Sequence, residues 1–228
     1  MTATTEVQLY NLALSAAGAR ASVASISETS REAQLCALWY SEVRDLVLRA
    51  APWPSTRAAS RLNLIAERDL DEDWEDYDPP EGMVYGYDLP STLLRPRYLQ
   101  TYERFVLGQD QQNTKRLFTN AETAILVYTR TQTDITKWEH PLKLAIVDAL
   151  AAYICRPLTG KADFAQSLVE RANFIILQAQ TEAANQDESR LESTPSWIAA
   201  RGYSGDTNDT RYVYPSGPLL TLTGAPTT

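Results

Sequence analysis

Apolar positions spaced by three and four residues open the chain. Val7, Leu9, Tyr10, Ala13, Leu14 and Ala17 follow a 3.6-residue period and predict a helix over 6–17. Thr5 and Gln8 stand at the spacing of a capping box, in which each side chain satisfies a backbone N–H at the helix start. Gly18 stops this helix. A second helix is predicted over 32–51, with Thr29 and Glu32 as its capping pair. Its apolar stripe runs through Leu35, Cys36, Trp39, Tyr40, Val43, Leu46, Val47 and Ala50. Pro52 and Pro54 forbid continuation and hold Trp53 in extended backbone. A third helix is predicted over 141–155. It opens on Pro141, where a missing N–H costs nothing, and is apolar nearly all round, as a helix at the centre of a bundle would be. A fourth, over 161–185, carries Phe164, Leu168, Ala172, Ile175, Ile176 and Ala179 on one face.

Between the second and third helices the period falls to two. Residues 61–65 alternate like a strand, and short β-prone runs follow at 83–87, 97–102, 105–107, 115–119 and 123–131. The last is the clearest, because Ala124-Ile-Leu-Val-Tyr is apolar and rich in β-branched residues. Pro79-Pro80-Glu81-Gly82 and the polar stretch 108–113 read as turns. The pattern predicts an α+β fold. It is a mainly helical bundle with a small antiparallel β module inserted at about 58–131, a core spanning 1–185, and an extended C-terminal arm over 186–228.

Composition changes this picture in two places. The net charge of −8 is local. Glu67, Asp69, Asp71, Glu72, Asp73, Glu75, Asp76, Asp78 and Glu81 face one base, Arg68, so the body of the chain is neutral and carries no basic footprint for gripping nucleic acid. The arm is rich in Pro, Gly, Ser, Thr, Asp and Asn and cannot bury enough apolar surface to order itself alone. Yet Trp197, Tyr203, Tyr212, Tyr214, Leu219 and Leu220 punctuate it. Such residues are suited to anchoring in a partner's groove.

Candidate chemistry is sparse. One histidine, His140, cannot build a zinc site, which needs several ligands, or a triad. It reads as a surface or cap residue. Cys36 and Cys155 sit in apolar helical patterns and read as buried free thiols. The run Asp69-x-Asp71-x-Asp73 fails as a calcium loop, because its sixth and twelfth positions are Trp74 and Pro80 where Gly and Glu are needed. Thr159-Gly160-Lys161 lacks the earlier Gly and the following Ser or Thr of a phosphate loop. No apolar run of membrane-spanning length occurs, and the first residues, MTATTEVQ, have no signal-peptide pattern. Arg95, Arg97 and Arg104 around the β region could face DNA, pair with acids of a neighbour, or be solvated. No enzyme, cofactor or metal is expected.

The order of the segments is more telling than any one of them. EVQLYNLALSAA stops at Gly18. EAQLCALWYSEVRDLVLRAA halts at Pro52-Trp53-Pro54. YGYDLPSTLLRP begins at Tyr85, and PLKLAIVDALAAYICRPLTGK begins at Pro141. Over about residues 6–180 this order resembles the tail tubular protein A family, the head-to-tail adaptors of short-tailed bacteriophages. The resemblance implies a structural virion protein at the head–tail junction, assembled in the host cytoplasm. Copies would form a homo-oligomeric ring, expected to be a dodecamer, joining the portal protein to the tail nozzle protein. DNA would pass through without sequence-specific contact, and no membrane would be involved. The alternative is a tail-associated peptidoglycan hydrolase using acids of segment 67–81, since glycoside cleavage needs two carboxyl groups flanking a bond. A non-viral helical scaffold is a third reading.

Overall fold

The computed structural model describes residues 4–68, 77 and 79–186, with only the backbone at 185 and 186. These residues divide into two compact units, one of 4–56 with 131–186 and the other within 57–130. The expected mainly helical bundle is corrected by this finding. Four helices stand beside seven strands in two antiparallel sheets, 47% helix and 21% strand among the described residues. The strands were undercounted as a module because most are short and only partly apolar. They nevertheless assemble two apolar clusters of their own, and clusters of that kind make a unit rather than an appendage.

The helical unit contains α1 (Glu6–Ala16), α2 (Arg31–Ala50), α3 (His140–Thr159) and α4 (Ala162–Gln186). The Thr5 capping box opens α1, with the Gln8 N–H donating to Thr5 Oγ1 at 3.3 Å. Gly18 closes it at φ +75°, a left-handed conformation that disfavours a side chain. The loop that follows is pinned to α1 by Asn11, whose amide donates to the Val23 carbonyl and accepts the Val23 N–H.

α2 starts one residue later than a Thr29 box would place it. Ser30 is its N-cap, and its hydroxyl accepts the Ala33 N–H at 3.3 Å. Its buried face runs through Ala33, Cys36, Tyr40, Val43, Val47 and Leu48. Leu46, expected inside, is 36% exposed. Trp39, also expected in the core, is part-buried and stacks on Tyr153 of α3 at 4.9 Å. Trp39→Ala is therefore expected to cost only about 1–2 kcal/mol, a lost stacking contact with limited area. An unfolding titration checks this.

α3 packs against α1, α2 and α4 and is buried along most of its length. It continues past Cys155 to Thr159 with Pro157 in its last turn, and Gly160 caps it at φ +71°. α4 then returns antiparallel to α3. Ala165, Leu168, Val169, Ala172 and Ile176 are its buried residues, whereas Phe164 is 42% exposed. One charge lies inside this packing. The Asp148 side chain is 2% exposed and is held by Arg171, whose Nε donates to Oδ2 at 2.6 Å and whose Nη2 donates to Oδ1. The pairing pushes the guanidinium pKa further above its ordinary value. Arg171→Ala strands a buried carboxylate. The expected cost is roughly 2–4 kcal/mol, between the ranges for exposed and buried pairs because Arg171 itself meets solvent. Urea unfolding reads it, and adding Asp148→Leu should recover most of the loss.

The β unit orders β1 (Arg57–Arg61), β7 (Ile125–Arg130) and β4 (Leu93–Leu99) as β1-β7-β4. Its second sheet orders β2 (Leu64–Glu67), β3 (Tyr85–Asp88), β6 (Lys115–Thr119) and β5 (Phe105–Gln109) as β2-β3-β6-β5. Tyr87, Leu99, Leu117 and Leu126 make the larger cluster, and Ala66, Met83 and Phe118 the smaller. The β5–β6 turn is stapled by Asp110, which accepts the Thr114 N–H at 2.7 Å and Arg116 Nε at 2.9 Å. The Tyr87 hydroxyl lies 2.8 and 2.7 Å from the carbonyls of Ala121 and Glu122.

Burial first, then Tyr85 and Glu122 beside Tyr87 and Glu6 and Cys36 beside Tyr10, pushes the two phenols up to about 12. A pKa raised on folding favours the protonated form of the native state. This contribution is therefore complete below the ordinary tyrosine value near pH 10 and is lost as the pH rises toward about 12. Stability should fall across that window, and Tyr87→Phe should flatten part of the fall. Tyrosinate absorbance recorded alongside far-UV circular dichroism tests it.

Candidate functional site

The residues singled out for partner binding divide by position. Trp197, Tyr203, Tyr212, Tyr214, Leu219 and Leu220 lie outside the described residues. So do Asp69, Asp71, Glu72, Asp73, Glu75, Asp76 and Asp78 of the acidic loop. The loop's two ends are described. Glu67 ends β2 and pairs in register with Tyr85 of β3, and the Arg68 N–H donates to the Val84 carbonyl at 2.9 Å. Because β2 and β3 are hydrogen-bonded neighbours, the acidic connection leaves and returns at one end of one sheet. Tyr77 packs on the Ala66, Met83 and Phe118 cluster. It thus serves this chain's own sheet.

The three arginines of the β region part company. Arg97 is 6% exposed and donates from Nε to Thr129 Oγ1 at 2.8 Å, so it does not face solvent or DNA. Arg95 is part-buried and Arg104 exposed. A surface feature not foreseen lies nearby. Tyr98 and Tyr102 stack at 5.4 Å with rings 4° from parallel, and the Arg57 guanidinium sits 5.8 Å from the Tyr98 ring centre. Arg57 is far from Tyr98 in sequence, and no local pattern links them. Only the flanking of β7 by β1 and β4 brings them together.

Cys36 and Cys155 are fully buried free thiols. Burial, with a smaller push from Glu32, raises the Cys36 thiol to about 11, which leaves it protonated and unreactive near neutrality. His140 is exposed at the first residue of α3. Among the described residues no group of three or more His, Cys, Asp or Glu could hold a metal ion. No helix there is long and apolar enough to cross a membrane.

One concave site lies within the helical unit, where α2 ends, α3 begins and α4 ends. It is a cleft of about 230 Å³. Trp53 and Pro54 form one wall, Glu139 and Pro141 a second, and Ala179, Glu182 and Ala183 of α4 the third. Trp53 is fixed by the failure of α2 to continue. It is 1% exposed, and its Nε1 donates at 2.9 Å to the Val47 carbonyl, one of those left open at a helix end. Gln180 ties α4 to the same end, its Nε2 donating to the Ala50 carbonyl at 2.8 Å. Glu139 is the N-cap of α3 yet makes no side-chain capping bond, and its Oε1 is buried without a hydrogen-bond partner. No signal in the sequence isolates the cleft, because its walls come from three separate segments.

No protein-family model matches the chain, and no curated protein matches it.

Proposed function

We propose that the chain is a structural virion protein whose copies form a ring joining the portal to the tail nozzle and continuing the DNA channel. The order of segments carries this reading: two capped helices, the Pro52-Trp53-Pro54 stop, the Tyr85–Pro96 run, and the apolar helix that begins at Pro141. One structural observation supports it. Leu144 of α3 is 40% exposed, and Phe174 and Leu177 of α4 are 60% and 49% exposed. Leu144 lies one turn before Asp148, and Phe174 one turn after Arg171. In an antiparallel pair joined by that ion pair, both displacements run the same way. The three residues therefore line one side of the α3–α4 seam. Large apolar side chains gathered on a surface are what a subunit interface buries. Catalysis has no part in this reading. Sedimentation velocity tests it: the purified chain should be a small or reversible species alone and a stable large oligomer with portal protein of the same virus. A chain that stays small with portal present, or that cleaves peptidoglycan, overturns it.

A further inference from the structure

We propose that the cleft between Trp53, Glu139 and Glu182 receives the cationic head of one arginine or lysine side chain presented by a partner polypeptide. Size limits the occupant first. The cleft of about 230 Å³ falls below the roughly 300–1,000 Å³ of small-molecule and cofactor sites, and it suits a single long side chain. Chemistry limits it next. Glu139 lines the cleft, and its Oε1 has no donor within the protein and meets an occupant once the carboxylate turns toward the cleft. A buried carboxylate oxygen in that state is destabilising until a charged N–H reaches it. Glu182 adds a second carboxylate from the α4 wall, and it is exposed. The ends of α2 and α4 that flank the cleft are C-terminal, where open carbonyls favour positive charge. The start of α3 acts the other way, and the Glu139 carboxylate already sits on it. Lys143, one turn along α3, makes no ion pair with Glu139 and does not line the cleft. Trp53, Pro54, Pro141, Ala179 and Ala183 supply apolar walls for the aliphatic stem that an arginine or lysine lays down behind its charge. An anion would meet two carboxylates, and an apolar group would leave the Glu139 oxygen unsatisfied.

This inference does not depend on ring formation, and it is tested on the full chain alone. Nα-acetyl-arginine amide is titrated while the backbone amides of Ala179, Glu182 and Ala183 and the indole N–H of Trp53 are followed by NMR. Nα-acetyl-citrulline amide, the same shape without the charge, is the control. Saturable shifts confined to these signals are expected with arginine, with affinity for citrulline lower by about tenfold or more, the worth of one charge-assisted hydrogen bond. Glu139→Gln should weaken arginine binding by a similar factor. Glu182→Gln should weaken it less, about threefold, because that carboxylate is exposed. Neither variant should lower the melting temperature, and Glu139→Gln should raise it slightly by removing an unpaired charge, so a loss of binding is not a loss of fold. Equal binding of citrulline, shifts that never saturate, no shift, or an unchanged affinity in Glu139→Gln would each overturn the proposal.

Discussion

Trp53→Ala is expected to cost about 3–5 kcal/mol, the range for truncating a large core aromatic. The residue is 1% exposed, so the whole ring is removed from packing. The substitution also frees the Val47 carbonyl from its indole donor at the end of α2. The two losses fall where α2, α3 and α4 meet, so the helical unit should melt as a whole and the α2 end should not merely fray. Trp39→Ala is the internal comparison: same residue type, same helix neighbourhood, about a third of the effect. Urea unfolding followed by far-UV circular dichroism measures both. A Trp53 variant as stable as the Trp39 variant would mean that the turn after α2 is not packed as described.

If copies form the proposed ring, Phe174→Asp is expected to abolish it while leaving the isolated chain nearly as stable as before. The side chain is 60% exposed, so folding loses little, within about 0.5 kcal/mol for a surface site. At an interface the same change buries a charge against apolar neighbours, and a hot-spot loss there is about 2 kcal/mol or more. A ring repeats every contact, so the loss recurs at each joint. Leu177→Asp should act alike, and Leu38→Asp, on α2 and away from the α3–α4 seam, should not. Sedimentation with portal present, beside a thermal melt of each variant, separates assembly from folding. Normal ring formation by Phe174→Asp would move the subunit contact elsewhere.

Local rules were readable where one segment decides the outcome. The Thr5 and Gln8 pair, Gly18, the Pro52 and Pro54 stop, and Pro141 in the first turn of α3 each act over a few residues, and each lies at a helix end. Registers were harder. Leu46 and Trp39 fit the apolar stripe of α2, but the stripe is wider than the face its neighbours cover, so Leu46 is 36% exposed and Trp39 only part-buried. Phe164 fits the periodic face of α4, yet it is 42% exposed while Ala165 beside it is 1% exposed, so the covered face of the first turn is the one that Ala165 occupies. The β unit was read too small because strand propensity is set by packing more than by composition. Glycine and tyrosine in β3 become core positions only once β6 lies beside them. The cleft was invisible for the same reason: Trp53, Glu139 and Glu182 belong to three distant segments. Glu139 is unremarkable as a sequence position, and only the structure leaves its Oε1 without a donor.

Electron microscopy of the chain mixed with the portal protein that the proposal pairs it with tests the central claim most directly. The account predicts a closed ring of this chain seated on one face of the portal, twelvefold in averaged end views, with a continuous central channel. Portal rings with no added layer, or a layer whose copies do not close around the channel, would contradict it.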